Sequence, residues 1–147
     1  MAAKEDYAAL SAIVYNNVRL DPNKITNLPP NWTFLTTSDT NLTGFTASAF
    51  RNTVTNEIVI AYKGTDTVSI AQTAQDFLLG NTAAFGGSVQ LVQAALFYEQ
   101  IKADYGSNIT FTGHSLGGGM ASVMGAWFGR AATNFAQNNR GQTTFIC

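Results

Sequence analysis

Gly113-His114-Ser115-Leu116-Gly117 is the stretch on which the fold turns. A β-favouring run, Asn108-Ile109-Thr110-Phe111-Thr112, leads into it. Small and apolar residues, Gly118-Gly119-Met120-Ala121-Ser122-Val123-Met124-Gly125-Ala126-Trp127, lead out of it and read as a helix. A G-x-S-x-G between a strand and a helix is the setting of a nucleophile elbow, a sharp turn that lifts a serine hydroxyl above the end of a sheet. Sterics explain the glycines. A side chain two residues before or after Ser115 would run into the neighbouring strand or helix, and glycine has no Cβ to do so. The helix that follows aims its N-terminal amides at the place where negative charge develops during acyl transfer. Ser115 is therefore the candidate nucleophile. Gly113, His114 and Gly117 are the structural residues of the turn, and Leu116 offers its backbone N–H to an oxyanion hole.

Working outward, Ser88 to Tyr105 reads as a helix that Gly106 stops, with Val92, Ala95, Leu96, Tyr98 and Ile101 as its apolar face. It is the crossover that returns the chain to the strand before the elbow. Further upstream, three strand-like runs follow one another: Trp32 to Thr36, Gly44 to Arg51 and Glu57 to Tyr62. The second alternates Phe45, Ala47 and Ala49 against Thr46, Ser48 and Phe50. The third, Ile58-Val59-Ile60-Ala61-Tyr62, is continuously apolar, as a strand covered on both faces must be. The turn-rich Asn52 to Glu57 makes the pair an antiparallel hairpin leading into a central strand. At the start, Tyr7, Leu10, Ile13 or Val14, and Val18 recur at helical spacing behind acidic Glu5 and Asp6, a helix whose job is to pack on the sheet. Beyond the elbow helix, polar Gln137 to Gly141 precedes Gln142 to Ile146, which resembles the beginning of a further strand.

The central strand runs into Lys63-Gly64-Thr65-Asp66-Thr67. One reading is a polar loop with a glycine. The other is an oxyanion loop at the carboxyl end of a central strand, the edge where α/β sheets hold their ligands. An acyl-transfer site needs at least two donors converging on one oxygen, and Thr65 offers a backbone N–H and a hydroxyl to join the Leu116 amide.

Taken in order, Tyr62-Lys63-Gly64-Thr65-Asp66, Asp76-Phe77-Leu78-Leu79, a long helix and Gly113-His114-Ser115-Leu116-Gly117-Gly118 resemble the class 3 lipase family over roughly Leu10 to Ile146. The resemblance implies a partial α/β-hydrolase fold, with a central, mostly parallel sheet, flanking helices and an N-terminal antiparallel hairpin. It implies a carboxylic-ester hydrolase acting on acylglycerols, phospholipids or simpler esters, with Ser115 as nucleophile and Thr65 and Leu116 as oxyanion residues. The segment after Thr65 matches the position of the family's lid. Its mixture of Val68, Ile70, Phe77, Leu78 and Leu79 with polar residues suits an amphipathic cover and an ordinary surface helix equally. Asp76 reads as a helix-stabilising or loop-anchoring carboxylate rather than a triad member.

One departure from the family matters. A serine hydroxyl needs a base to take its proton, itself held by a third group. The chain has one histidine, His114, and on a sharp turn beside the nucleophile it points elsewhere. In α/β-hydrolases the acid and the histidine follow the serine, yet no Asp, Glu or His occurs after Ser115. The 147 residues therefore read as one domain, C-terminally truncated, with the triad's acid and base lying beyond Cys147. Two other readings stay open: a non-catalytic module that self-associates or pairs with a partner chain through its sheet edge, and another serine hydrolase class such as an acyltransferase or a peptidase.

Bulk properties exclude other classes. Hydrophobic residues make up 46% and charged residues 12%, the composition of a globular core and not of a disordered chain. With a net charge of −1 there is no basic surface for nucleic acid. The single cysteine, Cys147, precludes an intramolecular disulfide. No apolar run reaches the length of a membrane span, and Met1 to Asp6 does not open a signal peptide, which fits a cytoplasmic protein or leaderless secretion. The reading calls for no cofactor and no metal ion.

Overall fold

The computed structural model describes residues 3–16, 28–38, 45–63, 85–114, 116–135 and 143–146. Among these, three helices and six strands follow in the order α1 (Lys4–Asn16), β1 (Trp32–Thr37), β2 (Thr46–Asn52), β3 (Ile58–Lys63), α2 (Phe85–Tyr105), β4 (Ile109–His114), α3 (Leu116–Phe128), β5 (Ala132–Phe135) and β6 (Thr143–Ile146). The strands form one sheet whose spatial order is the order of the sequence.

The first three strands are a meander. β1 pairs antiparallel with β2, with an irregularity between Phe34 and Thr36, and β2 pairs antiparallel with β3 from Thr46↔Lys63 to Arg51↔Ile58. The β2–β3 turn is built by Asn52, whose side-chain oxygen accepts from the amides of Val54 and Thr55 at 2.9 and 3.1 Å. Asn56 takes the left-handed conformation at φ 59°, which asparagine tolerates better than most residues. The centre is parallel: Ile58↔Ile109 to Tyr62↔Gly113 between β3 and β4, and Phe111↔Ala132 to His114↔Phe135 between β4 and β5. β6 returns antiparallel to β5. The expected parallel centre is thus flanked by antiparallel strands on both sides.

Side-chain alternation divides the interior into two cores, one on each face of the sheet. On one face, Phe45, Ala47, Ala49, Ile58, Ile60, Tyr62, Ile109 and Phe111 meet α2 and α3 through Ala94, Phe97, Tyr98, Ile101, Met120 and Met124. On the other, Trp32, Phe50, Val59 and Ala61 meet Tyr7, Leu10 and Val14 of α1. Phe45/Ala47/Ala49 and Phe50 therefore part company as the strand pattern requires.

Polar contacts fix where α1 lies. The Tyr7 hydroxyl donates to Glu57 Oε1 at 2.9 Å, the Thr110 hydroxyl donates to the same oxygen at 3.2 Å, and the Ser11 and Thr112 hydroxyls are 2.8 Å apart. Each of these groups is buried or partly buried, so the pairing offsets desolvation that would otherwise oppose docking.

Two features differ from the sequence reading. In α2 the face against the sheet is Gln90, Ala94, Phe97, Tyr98 and Ile101, whereas Val92 is 58% and Leu96 64% exposed. Apolar residues occur on several sides of this helix, and the bulk of Phe97 and Tyr98 decides which side turns inward. The second is β5, Ala132–Phe135, which lies where no strand was expected. It completes a β4–α3–β5 unit, in which Gly129 (φ 64°) ends the helix and turns the chain back.

Candidate active site

The two parallel strands β3 and β4 end together, at Lys63 and His114, and α3 begins at Leu116. A single residue, 115, separates the last residue of the strand from the first of the helix. Ser115 and Thr65 themselves lie outside the described residues, as do the segment matched to the lid, Asp76 and Val18. What is described is the frame around residue 115.

That frame is too tight for side chains at its two glycines. A Cβ on Gly113 would stand 2.6 Å from the Gly118 amide nitrogen and closer still to the Gly117 carbonyl. A Cβ on Gly117 would stand 2.7 Å from the Tyr62 carbonyl carbon and would overlap its oxygen. In both cases the obstacle is backbone, which cannot swing aside as a side chain can. The glycine at position 113 thus lets the helix start fold back on the strand, and that at 117 lets α3 lie against the end of β3. With the helix starting at Leu116, its first four amides have no partner within the helix, and they open at the same end of the sheet as the turn.

His114 closes β4 in register with Phe135. Alternation along β4 puts it on the face of Thr110 and Thr112, the α1 side, and it is partly buried there. Tyr62, the aromatic residue before Lys63-Gly64-Thr65, anchors the neighbouring strand end. Its ring stacks on Phe111 at 5.8 Å and its hydroxyl donates to the Ala94 carbonyl of α2 at 3.1 Å. Burial pushes its hydroxyl well above the ordinary tyrosine value of 10.0, with the nearby Tyr98 adding to the shift. Asn134, at the end of β5, packs against Gly118 and borders the same turn. Nothing in the sequence marks it, because Ala132-Thr133-Asn134-Phe135 has weak β preference and carries no motif. Among the described residues no three His, Cys, Asp or Glu side chains gather in one place, and no helix is long and apolar enough to cross a membrane.

A parallel-centred sheet between helices, with a one-residue strand-to-helix turn at its carboxyl edge, is the arrangement of a partial α/β-hydrolase fold. Within that class, residues 2–141 match the phospholipase-like Tle-like phospholipase domain, and the chain belongs to this family. Solved structures agree on the fold. Lip2 lipase from Yarrowia lipolytica superposes with a TM-score of 0.56 at 18% identity, over 90% of this chain and 57% of that one. Lipase II from Rhizopus niveus gives 0.51 at 17% identity, over 90% and 59%. The lipase from Rhizopus microsporus var. chinensis gives 0.51 at 18%, over 90% and 55%. The chain therefore spans somewhat under three fifths of the length of these lipases. No curated protein matches it.

Proposed function

We propose that the protein hydrolyses carboxylic esters of lipids, phospholipid or acylglycerol, through an acyl-enzyme on Ser115. The observation that carries this reading is the turn itself. Strand and helix leave one residue between them, at the carboxyl edge of parallel strands, and the glycines on either side have no room for a side chain. In a nucleophile elbow the residue at such a turn projects from the sheet edge with helix amides beside it.

In this mechanism Ser115 Oγ attacks the ester carbonyl carbon while its proton passes to a general base. The carbonyl oxygen gains negative charge and is met by the Leu116 amide and by Thr65, two residues past the end of β3. The bond from carbon to the alcohol oxygen then breaks, and the alcohol leaves with the proton from the base. Water, deprotonated by the same base, releases the acid and restores Ser115. Residues 116–147 contain no Asp, Glu or His, so neither the base nor its carboxylate partner comes from that stretch.

The test is labelling of the full-length protein with a fluorophosphonate probe, beside hydrolysis of phosphatidylcholine vesicles and of triacylglycerol emulsion. Labelling and turnover that both vanish in Ser115→Ala are the expected result. Labelling that persists in Ser115→Ala would remove Ser115 from the chemistry.

A further inference from the structure

Asn134 ends β5 at the sheet edge that carries the turn, and its Cα is the register partner of Gly113. Ala132 belongs to the core under α2 and α3, so alternation puts the Asn134 side chain on that face, against the start of α3. A Cβ on Gly118 would stand 2.6 Å from Asn134 Cγ, closer still to Oδ1, and 2.9 Å from the Gly113 carbonyl oxygen. The carboxamide already fills the space that a side chain at 118 would take, and it shares that space with the carbonyl that precedes the turn. Asn134 Oδ1 is buried, and no donor among the described residues reaches it. The orphaned amide oxygen and the Gly113 carbonyl oxygen border the same Cβ site. Turning the carboxamide over by 180° sets Nδ2, which carries two donors, in its place, with the Gly113 carbonyl as the acceptor at hand.

We propose that Asn134 is a positioning residue for the Ser115 turn. Its carboxamide occupies the Cβ site of Gly118 and ties the Gly113 carbonyl to the first turn of α3, so that one side chain holds the residues on both sides of the nucleophile. The sequence Gly113-His114-Ser115-Leu116-Gly117-Gly118 then has a reason for its last glycine: Gly118 is the seat of Asn134. The catalytic part of this inference rests on Ser115 as nucleophile, whereas the seat itself is a matter of packing.

Two measurements on the full-length protein test it. The first is steady-state hydrolysis of a p-nitrophenyl ester. Asn134→Leu keeps the bulk and removes the donors, and it should lower kcat about tenfold with KM unchanged, since a slightly misplaced nucleophile loses rate and not binding. Asn134→Asp presents two acceptors to the Gly113 carbonyl and should lose at least as much. Wild-type kcat in Asn134→Leu would overturn the proposal, because space-filling alone would then suffice. The second is a thermal-melt cycle. Gly118→Ala should lower Tm, and in an Asn134→Ala background the loss should shrink by about half or more, as expected for residues in direct contact. An equal loss in both backgrounds would also overturn it. If the wild type hydrolyses nothing, the reading of Ser115 fails, and the melt cycle still decides whether Asn134 sits in the seat.

Discussion

Two glycines of α3, two positions apart, should respond to the same substitution with opposite sign. At Gly117 a methyl group would meet the Tyr62 carbonyl carbon at 2.7 Å and Lys63 Cα at 3.2 Å. Ordinary contact begins at 3.4 Å and the Tyr62 carbonyl oxygen is nearer still, so the start of α3 would have to move from the end of β3 by more than the 0.7 Å that the carbon alone requires. Neither side can yield alone: β3 is paired on both edges, and α3 is pressed onto β4 and β5. Overpacking of this kind costs about 1–3 kcal/mol, and because both partners are backbone the upper end applies. At Gly119 an added methyl meets nothing within 4 Å, and the residue lies inside a helix. Alanine there gains about 0.5–1 kcal/mol from the lower entropy of the unfolded chain. For a domain of this size each kcal/mol moves Tm by about 2–4 °C or somewhat more. Gly117→Ala should therefore melt roughly 6–12 °C below wild type and Gly119→Ala roughly 1–4 °C above it. The assay is thermal unfolding followed by circular dichroism on both variants in one buffer. If Gly117→Ala melts with the wild type, the contact between α3 and the end of β3 is not as described, and the steric account of the turn fails with it.

Other outcomes follow from single side chains. Phe97→Ala should cost about 3–5 kcal/mol, whereas Leu96→Ala, its neighbour on α2, should change stability by less than about 0.5 kcal/mol; urea unfolding of the pair checks which face is buried. Tyr62 keeps its proton to a higher pH in the folded than in the unfolded chain. Above the ordinary tyrosine value of 10.0 the unfolded state therefore binds fewer protons, and stability falls as pH rises. Tyr62→Phe should be the less stable protein at neutral pH, through the lost bond to Ala94, and should lose less than wild type between neutral pH and alkali; melts across that range measure the crossover. In an active full-length enzyme Thr65→Val should lower kcat about 10²–10³-fold with little change in KM if the hydroxyl serves the oxyanion, and should be nearly silent if only the amide does.

The parts of the fold that the sequence displayed were those in which local pattern and tertiary burial agree. α1 shows its buried face as Tyr7, Leu10 and Val14 because its opposite side is solvated. β3 reads as a strand covered on both faces because Ile58 to Tyr62 has no polar residue to expose. The frame of the turn was readable because Gly113 and Gly117 answer a steric demand that few other arrangements make. β5 was not readable. Ala132-Thr133-Asn134-Phe135 is short and has weak β preference, and it becomes a strand because β4 offers it a parallel edge. Asn134 was hidden with it. The face of α2 was misread because Val92 and Leu96 are as apolar as the residues inside, and only the sheet distinguishes them.

The contacts that dock α1 are long-range: Tyr7 meets Glu57 across 50 residues and Thr110 across 103. β2 and β3, by contrast, meet across a short turn at Arg51↔Ile58. The order of events during synthesis follows from this difference. The helix at residues 4–16 leaves the ribosome before the other described elements, and four of them, β1, β2, β3 and α2, are made before the strand that carries Thr110 and Thr112. At about 5–20 residues per second, the apolar side formed by Tyr7, Leu10 and Val14 waits roughly 5–20 s for its partner. The meander β1–β2–β3 closes in the meantime and presents Trp32, Phe50, Val59 and Ala61 as a half-built landing surface. A nascent chain stalled before Thr110 therefore carries two matching sticky faces that Tyr7 and Glu57 can join but that lack the Thr110 and Thr112 hydroxyls, and this is the interval in which a chaperone has most to hold.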